Sequence, residues 1–140
     1  MRLTEHMAIL LYCYMVEKNY LKLEDIRSYV IASVLSDYIW KLVKEWNWFD
    51  KKTLGSQLTE ATDSIAANIA EGFGRYHKKD KIKFYYNARA SLFESAHWIK
   101  KAFKRELINQ KDFDYILSEL RKLPKEINHL ISFTNEKLSF

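Results

Sequence analysis

The chain has 140 residues, room for one domain rather than two. Apolar residues make up 48% and charged residues 29%, the balance of a globular chain rather than a disordered one, and the formal net charge is +5. Three Gly and one Pro are too few turn formers for an all-β sandwich or barrel; Gly55, Gly72 and Gly74 match neither a dinucleotide-binding nor a P-loop pattern; and one cysteine, Cys13, excludes an intrachain disulfide framework and a zinc cluster of cysteines. A single thiol fits a reducing, cytoplasmic setting.

The first 22 residues read as an N-terminal extension. Met7 to Val16 form an apolar run of ten, half of what a membrane-spanning helix needs. The run also lacks the positive start and small-residue cleavage site of a secretory signal. It reads as a short extra helix packed on the domain, or as translated upstream sequence with the true start at Met15.

From residue 23 the apolar positions follow the helical period and not the strand period. The spacing predicts four helices, over about 24–49, 53–73, 78–107 and 112–137. Glu24 and Asp25 suit the first N-terminus, and Ile31, Val34, Leu35, Tyr38, Ile39, Leu42, Val43, Trp46 and Phe49 form its stripe. Asp50 to Thr53 read as a break, with Thr53 as the next N-cap and Gly72 and Gly74 as the stop that ends the second helix. In the third, Phe84, Ala88, Ser91, Leu92, Ser95, Ile99 and Phe103 share a face whose small residues predict close approach of a neighbouring backbone. Asn109 to Lys111 break the pattern, and Asp112 is positioned to cap the fourth helix. The apolar phase of that helix continues across Pro124, which predicts one kinked helix rather than two. Four long helices on short loops make an all-α, antiparallel up-down-up-down bundle. No linker divides residues 23–140.

The charge is concentrated. Residues 75–111 carry eleven Lys and Arg against three acids, a net +8, while every other stretch lies within two charges of neutrality. On a helical wheel Arg75, Lys79, Lys83, Arg89, Lys100, Lys101 and Lys104 lie opposite the apolar stripe of the third helix, and Lys78 stands at its start. Such a ridge is the footprint of a phosphate-backbone binder, for structured RNA or DNA; the plain alternative is a solvated helix face. Tyr76, Tyr85 and Tyr86 lie near the basic loop, Tyr76 being available for stacking on a base or for packing.

Catalytic patterns are missing. His6, His77, His97 and His129 make no helical metal-binding pair, and the lone Glu94-x-x-His97 has no second copy, so no metal or other cofactor is expected. Arg89 to His97 and Arg121 to His129 are each separated by seven residues, too far for the Arg–His pair of HEPN-type ribonucleases. Cys13 has no base beside it. The expectation is that the protein is not an enzyme. Asn68, near the core face of the second helix, needs a hydrogen-bond partner in the bundle or at a subunit contact, and Glu71 is spaced to pair with Arg75.

The run Gln57-Leu58, Ala61, then Ser64-Ile65-Ala66-Ala67-Asn68-Ile69-Ala70-Glu71-Gly72-Phe73-Gly74-Arg75 resembles the signature of the bacterial four helix bundle protein family, also called the 23S rRNA-intervening sequence protein family. Phe84, Ala88, Ser91, Leu92 and Glu94 continue in register, and Ile26, Tyr29, Ala32, Ile39 and Leu42 fit the first helix more loosely. The resemblance covers about residues 19 to 135. Gln57, Ser64, Asn68, Glu71, Gly72 and Gly74 are its motif positions here. Ala66 stands where the family usually has Pro, Lys81 where an aromatic is common, and Tyr29 where a Trp is usual; the segment before Met15 has no counterpart. The wheel places Lys81 near the core edge, where it must snorkel.

The resemblance implies a left-turning four-helix bundle, a homopentameric ring and no enzymatic activity. Some members are encoded within insertions in large-subunit ribosomal RNA genes, and a remote relative serves reverse-transcribing retroelements. Two functions stand open: an oligomer that binds RNA or DNA through the basic ridge, or a protein-interaction scaffold using Trp40, Trp46, Trp48 and Trp98 as exposed aromatics. Neither involves a membrane.

Overall fold

The computed structural model describes Met7 and residues 21–139. The sequence-derived expectations for the N-terminal extension, the Met15 start, His6 and Cys13 fall outside the described residues. Among the described residues there is no strand, and no helix is long and apolar enough to cross a membrane.

A 3-10 turn, Leu23–Asp25, leads into α1, Arg27–Lys44. A helical turn at Trp48–Asp50 and a π-helical stretch at Lys51–Gly55 run without a break into α2, Ser56–Gly74. The third and fourth helices, α3 and α4, span Lys78–Lys104 and Gln110–Lys137. Each helix packs on its sequence neighbour, and α4 closes the bundle against α1. The directions alternate. Tyr38 of α1 donates a hydrogen bond to Asp112 at the start of α4, while Arg27 at the other end of α1 reaches Glu126 further along α4. Lys78 at the start of α3 meets Asn135 at the end of α4, and Phe103 at the end of α3 stacks on Phe113 near the start of α4. The core comprises Leu35, Ile39, Leu58, Ile65, Ile69, Leu92, Ile99, Ile116, Leu123 and Ile127 with smaller side chains between them. These are apolar positions that the helical period selects, but Val34 and Phe49, assigned to the first stripe, are exposed; Phe49 lies past the end of α1, in the turn that Asn47 starts.

The helix ends differ from the sequence expectation, and local hydrogen bonds explain why. The break after α1 falls at Glu45–Asn47 rather than at 50–53. Asn47 is extended, and its side-chain oxygen accepts the Asp50 N–H at 2.9 Å, which starts the next helix there. Thr53 is therefore inside the helix and is not its cap; its hydroxyl donates back to the Phe49 carbonyl at 2.7 Å. Asn109, read as part of a break, is the N-cap of α4, and Asp112 supplies the N–H it binds, at 2.7 Å. The fourth helix runs as one element through Pro124, as its continuous apolar phase requires, and α2 is unbroken at Ala66.

Gly72 and Gly74 are not left-handed stops, since no glycine has positive φ. Gly72 is buried because α3 passes over it. A Cβ there would stand 2.7 Å from the Tyr85 ring and 2.9 Å from the Lys81 carbonyl oxygen. Nothing lies within 4 Å of a Cβ at Gly74. The left-handed position that the fold does use is Glu106, φ 60°, after α3. There Leu107 N–H bonds the Ala102 carbonyl and Glu106 N–H bonds that of Phe103, the paired closure of a Schellman turn. It ends α3 three residues short of the expected 107.

Two consequences are measurable by thermal or denaturant unfolding. Gly72→Ala should destabilise the bundle by about 1–3 kcal/mol, because the backbone at Lys81 cannot yield to a methyl, whereas Gly74→Ala should stabilise it by about 0.5 kcal/mol. Glu106→Gly should stabilise it by about 1 kcal/mol by removing the cost of left-handed backbone at a residue with a Cβ.

Candidate nucleic-acid interface

The third helix turns one face to the core and the other outward. Tyr85, Ala88, Leu92, Ser95, Ile99 and Ala102 are buried, and the cations of the ridge lie on the remaining circumference. They fall into two groups by what they touch. Lys79, Lys83, Lys100 and Lys104 are exposed and, among the described residues, have no hydrogen-bond, ion-pair or ring partner. The other four are engaged or half-covered. Arg75 pairs with Glu71 at 2.6 Å, as its helical spacing predicts, and lies 4.7 Å from the Phe84 ring. Lys78 donates to the carbonyls of Asn135 and Leu138, holding the end of α4. Arg89 is half-buried, with its guanidinium 5.9 Å from the Phe93 ring, and Lys101 is half-buried as well.

The free lysines do not form one continuous ridge. Between Lys83 and Lys100, about 25 Å apart at helical rise, the same face presents Tyr86, Ala90, Phe93, Glu94 and His97, all exposed. The site is two pairs of lysines flanking an aromatic middle. Of the three tyrosines near the basic loop, Tyr85 is core, and burial pushes its hydroxyl up to about 12 against a hydrogen bond with Thr134 that acts the other way. Tyr76 is exposed and meets His77 edge-on, and Tyr86 is exposed on the lysine face.

Lys81 does not snorkel to solvent. It turns toward the end of α2, where Nζ donates to the Phe73 carbonyl at 2.7 Å, and burial holds its ammonium below the usual lysine range. A cation at a helix C-terminus is favourably placed against the helix dipole.

The motif positions of α2 divide in the same way. Asn68 is half-buried and satisfied within its own helix, Nδ2 donating to the Ser64 carbonyl at 2.8 Å. Ser64 donates to the Glu60 carbonyl, and Gln57 is exposed. This side of α2, with Trp40, Val43 and Lys44 of α1, lines an open cleft of about 590 Å³ that also takes in Lys51, Glu60 and Asp63. Of the four tryptophans, Trp40 and Trp48 are 51% and 71% exposed, with Lys44 and Lys52 over their rings. Trp46 and Trp98 pack against the core, so the expectation that all four are exposed holds for two.

The sequence model for a family described as 23S rRNA-intervening sequence protein matches residues 24–129, from the turn before α1 to well into α4. The chain belongs to that family. No curated protein matches it. In this family member the matched span contains the α2 motif and all eight cations predicted for the ridge, Arg75 before α3 and the other seven on it.

Sequence reasoning missed Arg121, an exposed cation of α4 that shares a groove with Lys100 across the α3–α4 seam. It belongs to a stretch of near-neutral net charge, so a segment count does not single it out.

Proposed function

We propose that the protein is a non-enzymatic homo-oligomer that binds structured RNA or DNA through the outer face of α3. The observation that carries this reading is the set of four exposed lysines, Lys79, Lys83, Lys100 and Lys104, with no carboxylate partner among the described residues. Lysines left in water without a counter-charge are available to replace the condensed cations of a phosphate backbone. The family description, naming an intervening sequence of 23S rRNA, supports RNA as the polyanion. The two pairs lie about 25 Å apart along the helix, and this spacing favours recognition of shape and charge over base sequence. In a homopentamer, the assembly that the resemblance implies, five copies of the face would act together, so weak single contacts would sum to strong, salt-sensitive binding.

A second reading, a scaffold for a protein partner, draws on one observation: Trp40, which lines the α1–α2 cleft, is exposed, as are Val34, Trp48 and Phe49. Large exposed aromatics are enriched at interfaces.

Binding of a structured RNA should weaken steeply between 50 and 200 mM salt (concentrations chosen to span the regime where counterion release dominates). Replacing Lys79 and Lys83, or Lys100 and Lys104, by Gln should lower the slope of log K against log salt by about 1 to 2 for each pair. A flat salt dependence rules the reading out. Native mass spectrometry should show a species about five times the chain mass of 16.8 kDa, and nuclease treatment should leave that stoichiometry unchanged. A monomer at micromolar concentration would remove the avidity argument.

A further inference from the structure

The aromatic middle of the α3 face opens onto a groove of about 180 Å³ along the α3–α4 seam. Leu92, Ala96, Leu117, Leu120 and Pro124 give it apolar walls. Phe93 stands at its edge, 61% exposed, and Lys100 and Arg121 flank it from opposite helices. Neither of these cations has a partner among the described residues, and no carboxylate lines the groove. Arg89, one turn before Phe93, stands outside the groove with its guanidinium 5.9 Å from the Phe93 ring.

We infer that this groove takes an unpaired nucleotide, the base stacked on Phe93 and the adjoining phosphate held by Lys100 and Arg121. The inference rests on the nucleic-acid reading above and names the part of the polymer that the site selects. Its chemistry is specific in two respects. An apolar ligand alone leaves two cations unanswered, and a bare phosphate leaves Phe93 and the apolar walls unused. A nucleotide with a free base satisfies both, because every base has a face that stacks on an aromatic ring and a phosphate beside it. A base within a duplex has its faces covered by its neighbours, so the groove discriminates for loops, bulges and single strands, where RNA-binding proteins find splayed bases. The volume lies below the range of pockets that enclose drug-sized ligands, which suits one flat ring better than a whole peptide helix. The lysine pairs at either end of α3 then supply the general attraction, and the groove between them supplies the preference.

The test is fluorescence anisotropy at low salt with two labelled RNAs, a short single strand and the same strand annealed to its complement. The wild-type chain is compared with Phe93→Ala, Phe93→Tyr and the double variant Lys79→Gln/Lys83→Gln. The wild type should prefer the single strand. Phe93→Ala should weaken single-strand binding by about 5- to 100-fold and leave the duplex unchanged, while Phe93→Tyr, which keeps a stacking ring, should retain the preference. The lysine variant should weaken both RNAs alike. Phe93 is exposed, so circular-dichroism melts of the three variants should match the wild type. If Phe93→Ala binds the single strand as the wild type does while the lysine variant loses both RNAs, the groove inference is overturned and the polyanion reading stands. If the wild type binds neither RNA, both are overturned. Binding of an acidic amphipathic peptide that Phe93→Ala abolishes, with no effect of Phe93→Ala on RNA, overturns the nucleotide assignment in favour of a protein partner.

Discussion

The α2 and α3 helices approach so closely at Gly72 that no side chain fits between them. The Tyr85 ring occupies the space a methyl would need, and the ring is itself buried. Thr134 of α4 is buried as well, its hydroxyl donating back to the Leu130 carbonyl of its own helix. Along the rest of the buried α3 face the small residues Ala88, Ser95 and Ala102 alternate with Leu92 and Ile99. A helix held this tightly along one side has its rotation about its own axis fixed, because the packing density of a protein interior leaves no room to turn. The outward direction of the lysine face follows from that constraint.

Charge in the basic segment serves two ends. Lys81 binds the last carbonyls of α2, Lys78 binds those of α4, and Arg75 pairs with Glu71 at the turn between α2 and α3. These three cations close helix ends at the pole where Gly72 and Tyr85 meet. They contribute to the charge excess of the segment without being free to meet a polyanion. Among the ridge cations of α3, the free charge lies in the two lysine pairs, Lys79 with Lys83 and Lys100 with Lys104. Breaking the exposed Arg75–Glu71 pair costs little, since such pairs contribute under about 1 kcal/mol, but detaching Lys78 or Lys81 exposes carbonyls at a helix terminus.

Much of the fold is legible in the chain because burial follows the helical period without ambiguity. Leu35, Ile39, Leu58, Ile65, Ile69, Leu92, Ile99, Ile116 and Ile127 sit where a 3.6-residue repeat puts them, and Pro124 does not interrupt the phase. The ends of the helices are less legible, because side chains of one type play several roles there. Asn47 and Asn109 are both N-caps, yet Asn47 falls inside the first helix that the spacing predicts and Asn109 reads as a breaker, while Thr53 resembles a cap and lies inside a helix. Glycine misleads in the same way. Gly72 looks like a terminator and is a packing residue, while the left-handed end of α3 uses Glu106. A wheel drawn on one helix also cannot show that Arg121 of α4 joins Lys100 of α3 across a seam.

By itself the sequence determined that this is an all-helical bundle of the 23S rRNA-intervening sequence protein family, with its positive charge gathered on the third helix. Those properties are local: periodicity, composition and a contiguous motif are all carried along a single stretch of chain. Only the tertiary structure decided which cations are free, because the partners of Lys78 and Lys81 lie at the ends of other helices that the chain reaches by folding. The tertiary structure also decided that the lysine face is split by an exposed Phe93 beside a groove shared with α4. A groove between two helices exists only once their separation and rotation are set, and the contact of Gly72 with Tyr85 is part of what sets them.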